Sequence, residues 1–585
     1  MPSHVIESSN AIPGHRVPRK LIEQVFAGPV DSSAIAALLD GQYSRRLLLL
    51  KVLRDSAVSD PASQERWMVE DAWSILVAAE KRAPDVVREI LLYPSVGTWL
   101  VRVIRKIRGI IDDDIPIWVD MGYLGSVAAA AAIRARIDVT ATASVWRGRI
   151  SLPTVGQFGA GDGDSPRLTR LRTQGSTAFL EAPDGEWLSL DEVPAFPLRL
   201  HRSTAAGRSM RWTVDDIDPY RSFAGPVAND RLTAVEFDSW CLKLDRAWEI
   251  LVEEHADYLP ELSAASPVIV PADRVDGFVA SSSAASFGAI RAAIPETPAD
   301  MAETLLHELQ HSKLNALLDL VPLQRPGTDR PCYAPWRRDP RPLSGLLHGI
   351  YAFVGVTEYW HRRWRSQPAS ADHTAAFHFV HHQEQVRDAL RALGPTPELT
   401  EVGDRFLTVA KTRLNACDST DVPAEVRAAV AALVVATRLV WRMRYLAPPD
   451  DYIARLAERW AAGKRPTVEH VESPLRPFSR PEAESALPAL FTAEVLTTGD
   501  LVTEGVARPG ERELVRRDLA AARPLFVDRI QVNPKDDGAW VGLLMAMEGD
   551  ESLSPETVSA TFRRIVAVSD TPPDPVALVE WFANG

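Results

Sequence analysis

Between residues 20 and 110 apolar positions recur every third and fourth residue, as in "SRRLLLLKVLRD", "AWSILVAAEKRAPDVVREILL" and "GTWLVRVIRKIRGI". That period puts one apolar stripe on each of several packed helices. "GSVAAAAAIRARI" (125–137) predicts a further helix built of small residues. The period then changes. "VTATASVWRGRISLPTV" alternates and is rich in β-branched residues, which predicts strands. "STAFLEAPDGEWLSL" predicts a hairpin turning at Pro183, Asp184 and Gly185. "SPVIVPA" and "GFVASSSAASFGAI" predict two more strands. Helical periods return from about 297 to 450. A stretch with five prolines in 27 residues, "AGKRPTVEHVESPLRPFSRPEAESALP", disfavours regular structure, and helical periods resume beyond it.

The expected fold class is therefore α+β, predominantly helical, with a small central β-sheet. Its segments are a flexible tail (1–20), an N-terminal helical region (21–125), a mixed α/β region with the sheet (126–296), a helical region (297–455), a Pro-rich linker (456–485) and a C-terminal helical segment (486–585). That last segment carries no chemistry of its own, and a docking role for a leader peptide or a partner is the reading left for it.

Composition narrows the class further. The chain has 585 residues, 46% hydrophobic and 24% charged, as in a soluble globular protein. A formal charge of -13 argues against a nucleic-acid partner, which calls for a basic face. The basic stretches "RVIRKIRG" and "WHRRWR" sit among apolar residues at helical spacing and read as solvated helix edges. Three widely spaced cysteines, Cys241, Cys332 and Cys417, offer no disulfide framework and suit a reducing compartment. The N-terminus lacks the apolar core of a secretory signal, and no apolar run reaches membrane-spanning length. A cytoplasmic protein with no membrane partner is expected.

The chemistry concentrates at "ETPADMAETLLHELQHSKLNALLDL". Thr297 can cap a helix, Pro298 suits its first turn, and Asp300 complements the dipole. His307 and His311 then lie one turn apart on one face, where two imidazoles can hold one cation. Glu308 follows the first His by about 100° around the axis. The expected sheet packs against this helix.

A third ligand must come from farther along. The position six residues after His311 is Leu317, which excludes the zinc peptidases that place a third His there. The next His is His348 and the next Glu is Glu358, both in "PLSGLLHGIYAFVGVTEYWHRRW". His348 is favoured, because Gly345 and Gly349 beside it admit a close neighbour. The bland reading of His348 is a satisfied core histidine, and Glu358 remains the alternative ligand. The cluster "HFVHHQEQ", with His378, His381 and His382, lies in a polar helical region without a nearby Cys or paired carboxylates. The Ser-rich "SSSAASFGAI" could form an edge for an extended peptide, although an ordinary small-residue strand is the favoured reading.

These residues resemble a known family. "LLHELQHSKLNALLDL", followed by "CYAPWRRDPRPLSGLLHGIYAFVGVTEYW", is similar to the HExxH-motif α-ketoglutarate-dependent peptide β-hydroxylases associated with clusters that make ribosomally synthesised, post-translationally modified peptides. "DGQYSRRLLLLKVLRD", "LLYPSVGTWLVRVIR" and "MGYLGSVAAAAAIRA" look similar too, so the resemblance spans roughly residues 20–450. The Pro-Trp-x-x-Asp-Pro-Arg-Pro segment followed by Leu-His-Gly is its most specific part. The resemblance implies Fe(II), α-ketoglutarate and dioxygen, with a ribosomally made precursor peptide as substrate. Three protein ligands would leave three positions for the keto acid and dioxygen. The distal carboxylate of the keto acid would need a cation, and Arg341, with Arg337 and Arg338 behind it, supplies the candidates.

Two other readings stay open. One is a Zn(II) metallopeptidase with His307, His311 and Glu358 as ligands and Glu308 as general base. The other is a non-catalytic scaffold or peptide-binding partner.

Overall fold

The computed structural model describes residues 17–584 apart from 60–65, 162, 223–224, 229–230, 266, 274–278, 369–372, 467–472, 477–485, 497–506, 548–552 and 570–571. Most of the expected tail and much of the expected Pro-rich linker therefore lie outside the described residues. The chain forms two compact units. The first comprises residues 1–323 with 401–409, the second residues 324–400 with 410–585.

The first unit opens with helices α1 (Arg19–Ala27), α2 (Ser32–Ser59), α3 (Arg66–Arg82), α4 (Pro84–Leu92), α5 (Pro94–Ile107) and α6 (Ile117–Ala135). Strands follow: β1 (Thr140–Val145), β2 (Arg149–Leu152), β3 (Gly156–Gly159), β4 (Arg167–Gln174), β5 (Thr177–Glu181), β6 (Trp187–Ser189), β7 (Ala195–Pro197), β8 (Arg199–Ala205) and β9 (Arg208–Val214). Helices α7 (Ala234–Glu254) and α8 (Leu259–Ala265) precede β10 (Val268–Pro271), β11 (Ala280–Ser281), β12 (Ala289–Ala292) and helix α9 (Pro298–Leu318). The fold is predominantly helical α+β, but the expected single sheet is divided. β1-β4-β5-β6 and β2-β3-β7 are antiparallel, and β11-β12-β10-β9-β8 has a parallel centre where β10 pairs with both β12 and β9. The hairpin at Pro183–Gly185 joins β5 to β6, with Leu180 opposite Leu188.

Small residues let α6 lie against β1. A Cβ on Gly125 would stand 1.7 Å from the Thr142 carbonyl oxygen, so only glycine fits there. Beside this contact a polar network is sealed in the core. Tyr93 donates to Asp215 at 2.8 Å, Tyr123 to Asp218 at 2.7 Å, and Tyr220 to Asp120 at 2.8 Å. Burial, with Asp215 close by, pushes the Asp218 carboxyl up to about 7. On α2, the fully buried Arg46 guanidinium presses on Gly97, where a Cβ would stand 1.9 Å from its Cζ. Its Nε, Nη1 and Nη2 meet no hydrogen-bond acceptor among the described residues. Burial, with Arg45 adding to it, pulls its pKa down to about 9.

The second unit contains a short ladder of β13 (Pro331–Cys332) and β14 (Arg341–Pro342), helices α10 (Leu343–Ser366) and α11 (Thr374–Leu393), and the latter part of α12 (Glu401–Ala416). It continues with α13 (Ala424–Tyr445), α14 (Asp450–Ala461), α15 (Leu487–Leu496), α16 (Glu511–Val515), α17 (Leu519–Val532), α18 (Asp537–Ala546), α19 (Pro555–Val568) and α20 (Pro575–Ala583). Among the described residues no helix is long and apolar enough to cross a membrane.

Candidate metal centre

Helix α9 starts where its local signals place it. The Thr297 side chain accepts from the Asp300 amide at 3.1 Å, and the Asp300 carboxylate accepts from the Thr297 amide at 3.1 Å. This reciprocal pair satisfies two of the donors that a helix start leaves open. Pro298 occupies the first turn, where its missing amide hydrogen is no loss.

The helix is not amphipathic in the ordinary sense. From Met301 to Leu317 it is buried on all sides except one row of half-buried residues, Glu303, His307, His311 and Asn315. These recur every fourth residue and so form one stripe. The two histidines occupy its middle. Their Nε2 atoms stand 3.1 Å apart. An ion about 2.1 Å from each would be subtended at about 95°, within the range that a shared transition metal accepts. Without an ion the same spacing fits an N–H···N hydrogen bond between two neutral rings.

Glu308 points away from that stripe. It is 2% exposed, and its Oε2 has no hydrogen-bond partner among the described residues. Burial pushes its carboxyl up to about 7, against a smaller downward pull from the Ser282 hydroxyl. Ser282 belongs to the Ser-rich stretch, which is not one strand. It divides into the two-residue β11 at the sheet edge, a 3-10 turn at Ala284–Ser286, and β12.

Two residues past His311, Lys313 holds the helix in place. Its ammonium donates to the Gly28 carbonyl at 2.9 Å and to Glu261 Oε1 at 3.2 Å, and both charged side chains are wholly buried. Glu261 in turn accepts from the Val30 amide at 3.2 Å. A lysine inside a leucine-rich helix was the only local sign of this anchor, since its partner lies 52 residues away.

His348 sits on α10 in the second unit, and burial pulls its pKa down to about 4, so the ring is neutral at physiological pH. The neighbour admitted by Gly349 is the Trp336 indole, which a Cβ would meet at 2.2 Å. Trp336 also stacks on Phe353, with ring centroids 4.8 Å apart. The most specific segment of the family resemblance is thus one packed object, a tryptophan laid over the Leu-His-Gly turn. Glu358 is committed elsewhere. Both its oxygens bind Arg413, at 2.8 and 2.7 Å. Arg341 and Arg337 each pair with Asp339, at 3.2 and 3.3 Å, and Arg338 is exposed nearby.

The histidines of α11 are not on a polar face. His382, Gln383 and Gln385 are buried, and the rings of His378, His381 and His382 stack on one another. Burial holds His381 and His382 neutral. Among the described residues no group of three or more His, Cys, Asp and Glu side chains is arranged to hold a metal. His307 and His311 stand together on α9, with ring nitrogens close enough to share one ion. No family model matches the chain, and no curated protein matches it.

Proposed function

We propose that the protein is an Fe(II)- and α-ketoglutarate-dependent oxygenase that hydroxylates a β-carbon in a ribosomally made peptide. The observation that carries the metal part is the pair of imidazole nitrogens 3.1 Å apart on the one open stripe of an otherwise enclosed helix. The oxygenase part rests on the resemblance of "LLHELQHSKLNALLDL" and "CYAPWRRDPRPLSGLLHGIYAFVGVTEYW" to the peptide β-hydroxylases.

In this reading His307 and His311 hold the metal and His348 is the third ligand. His348 is preferred to Glu358 because a neutral ring needs no proton removed, whereas Glu358 would have to abandon a two-point pair with Arg413. When bound, the metal with its keto acid and dioxygen supplies the oxidising power that turns C–H into C–OH. The chain's own part is to fix the two imidazoles on a helix anchored by Lys313 and to keep Glu308 enclosed, away from bulk water. Arg341, with Arg337 and Arg338, offers the cation for the distal carboxylate of the keto acid. The zinc-peptidase reading, with Glu308 as general base, stands second, because Glu308 points away from the stripe that carries His307 and His311.

Anaerobic loading with Fe(II), followed by dioxygen-dependent conversion of α-ketoglutarate to succinate, tests the proposal. Succinate formation that disappears in His307→Ala and His348→Ala but survives in Glu358→Gln is the expected result. Cleavage of a peptide pool by the zinc-loaded protein, abolished in Glu308→Gln, would move the site to the peptidases. Neither activity would leave a scaffold.

A further inference from the structure

The five-stranded sheet of the first unit ends in two unlike edges. β11, in the Ser-rich stretch, offers only two residues. β8, at the other edge, runs for seven residues, Arg199–Ala205, and pairs on one side, with β9. An edge of that length is a template for another strand when it is left open. This one is open: Leu200 is 61% exposed, and Arg202 and Thr204 are exposed beside it. Ala206 and Gly207 have φ of 44° and 76°, as a two-residue type I′ hairpin turn requires. Ala205 and Arg208 close that turn as a hydrogen-bonded pair, and so do Ser203 with Met210 and His201 with Trp212. Between them, Leu200, Arg202 and Thr204 turn their amide hydrogens and carbonyl oxygens to the open edge.

Packing underneath fixes this edge in advance. His201 Nε2 donates to Asp245 Oδ1 on α7 at 2.7 Å, the Trp212 indole to Ser203 Oγ at 3.0 Å, and the Trp248 indole of α7 to the Arg208 carbonyl at 3.2 Å. On the solvent face Arg202 lies directly opposite Arg211. Like charges at such a pair repel, and at a non-hydrogen-bonded pair the side chains stand closest. Among the described residues neither guanidinium forms an ion pair, and Arg202 reaches the Ser209 hydroxyl at 3.5 Å. A carboxylate set between the two would relieve that repulsion. A second copy of the chain would not, because two-fold pairing of β8 with itself brings Arg202 toward Arg202. On the other face Asp245, with its side chain 41% exposed, disfavours an acidic neighbour.

We infer that β8 is a docking edge for an extended acidic segment of another polypeptide, which adds to the sheet as a further strand and sets carboxylates, on alternate residues, against Arg202 and Arg211. Main-chain pairing at Leu200, Arg202 and Thr204 supplies the affinity. The arginine pair and the exposed Leu200 select the residues on one face of the incoming strand. No residue of this edge has a part in the proposed oxygenase reaction, and docking needs no metal, so the edge is testable whether or not that reading holds.

Fluorescence anisotropy of the full chain with fluorescein-labelled Val-Thr-Glu-Thr-Glu-Thr-Val tests it. As a strand this peptide presents Val and Glu on one face and Thr on the other. Saturable binding is expected, and much weaker binding when Gln or Lys replaces Glu. Backbone N-methylation of alternate residues gives two further peptides, one methylated at Val and Glu, the other at Thr. One should lose binding and the other keep it, because an added strand pairs through a single edge. Arg202→Glu combined with Arg211→Glu should weaken binding of the acidic peptide about tenfold and confer binding of the Lys peptide. Thr204→Pro removes an outward amide hydrogen that the β8–β9 ladder does not use, so it should abolish docking with far-UV circular dichroism unchanged. Equal binding of the acidic, neutral and Lys peptides would overturn the inference. So would equal binding of the two methylated peptides, wild-type binding by the charge-reversed variant, or no binding at millimolar concentration. A dimer in sedimentation velocity that Thr204→Pro dissolves would assign the edge to a second copy and overturn it as well.

Discussion

Glu308 and Asp218 are carboxyls enclosed without a cationic partner at hydrogen-bond range, and each is raised to about 7. A folded-state value above the unfolded one means that the folded protein holds the proton more tightly. The stability this contributes is complete below the unfolded values near 4 and is lost as pH rises through about 7. The metal-free protein should therefore be more stable at pH 5 than at pH 8. Glu308→Gln should flatten part of that slope, raising stability at pH 8 by up to about 3 kcal/mol, and Asp218→Asn should flatten another part. Urea unfolding followed at both pH values checks this. A slope unchanged in both variants would show that neither carboxyl is neutral in the folded state. At Gly349 the prediction is steric. Gly349→Ala would drive a methyl into the Trp336 indole and should cost about 1–3 kcal/mol, read from the same denaturant curves.

At the scale of elements, helix α9 illustrates what a sequence makes legible. Thr297, Pro298 and Asp300 act within one turn, so the helix start could be placed from neighbouring residues alone. The relation of His307 to His311 is equally local. The anchor was not legible, because Lys313 meets Glu261 and Gly28 only once distant segments have folded together. The same holds for Glu358, whose two-point partner Arg413 lies 55 residues onward. The α11 histidines misled for another reason. His and Gln count as polar by type, yet a neutral imidazole stacks in a core like any aromatic ring. The Ser-rich segment likewise folded into pieces, since small residues state no strong preference between strand and turn. The Lys313 anchor carries a prediction of its own. Lys313→Met strands a buried carboxylate and should cost about 3–5 kcal/mol, whereas the double variant with Glu261→Gln added should recover much of the loss. Denaturant midpoints for wild type, both single variants and the double variant decide it, and a neutral single variant would contradict the anchoring role.

For the whole molecule, division into two compact units implies unfolding in more than one step. Scanning calorimetry should give two resolved transitions, or a calorimetric enthalpy exceeding the van't Hoff value; a single two-state peak would contradict the division. The predominance of helix was legible from the 3.6-residue period. The partition of the strands into separate sheets was not, because β9 pairs with β10 across more than fifty positions, Thr213 facing Val268.

Arg46 gives that calorimetry a further use. A guanidinium shut inside the first unit, flat on Gly97 and without an acceptor among the described residues, opposes folding. Met fills nearly the same shape without that opposition. Arg46→Met should therefore raise the melting temperature of one transition by a few degrees and leave the other where it was, which labels the transitions by unit. It also marks this position as one where the natural chain stands short of its own stability optimum, with thermostability held in reserve behind a single codon.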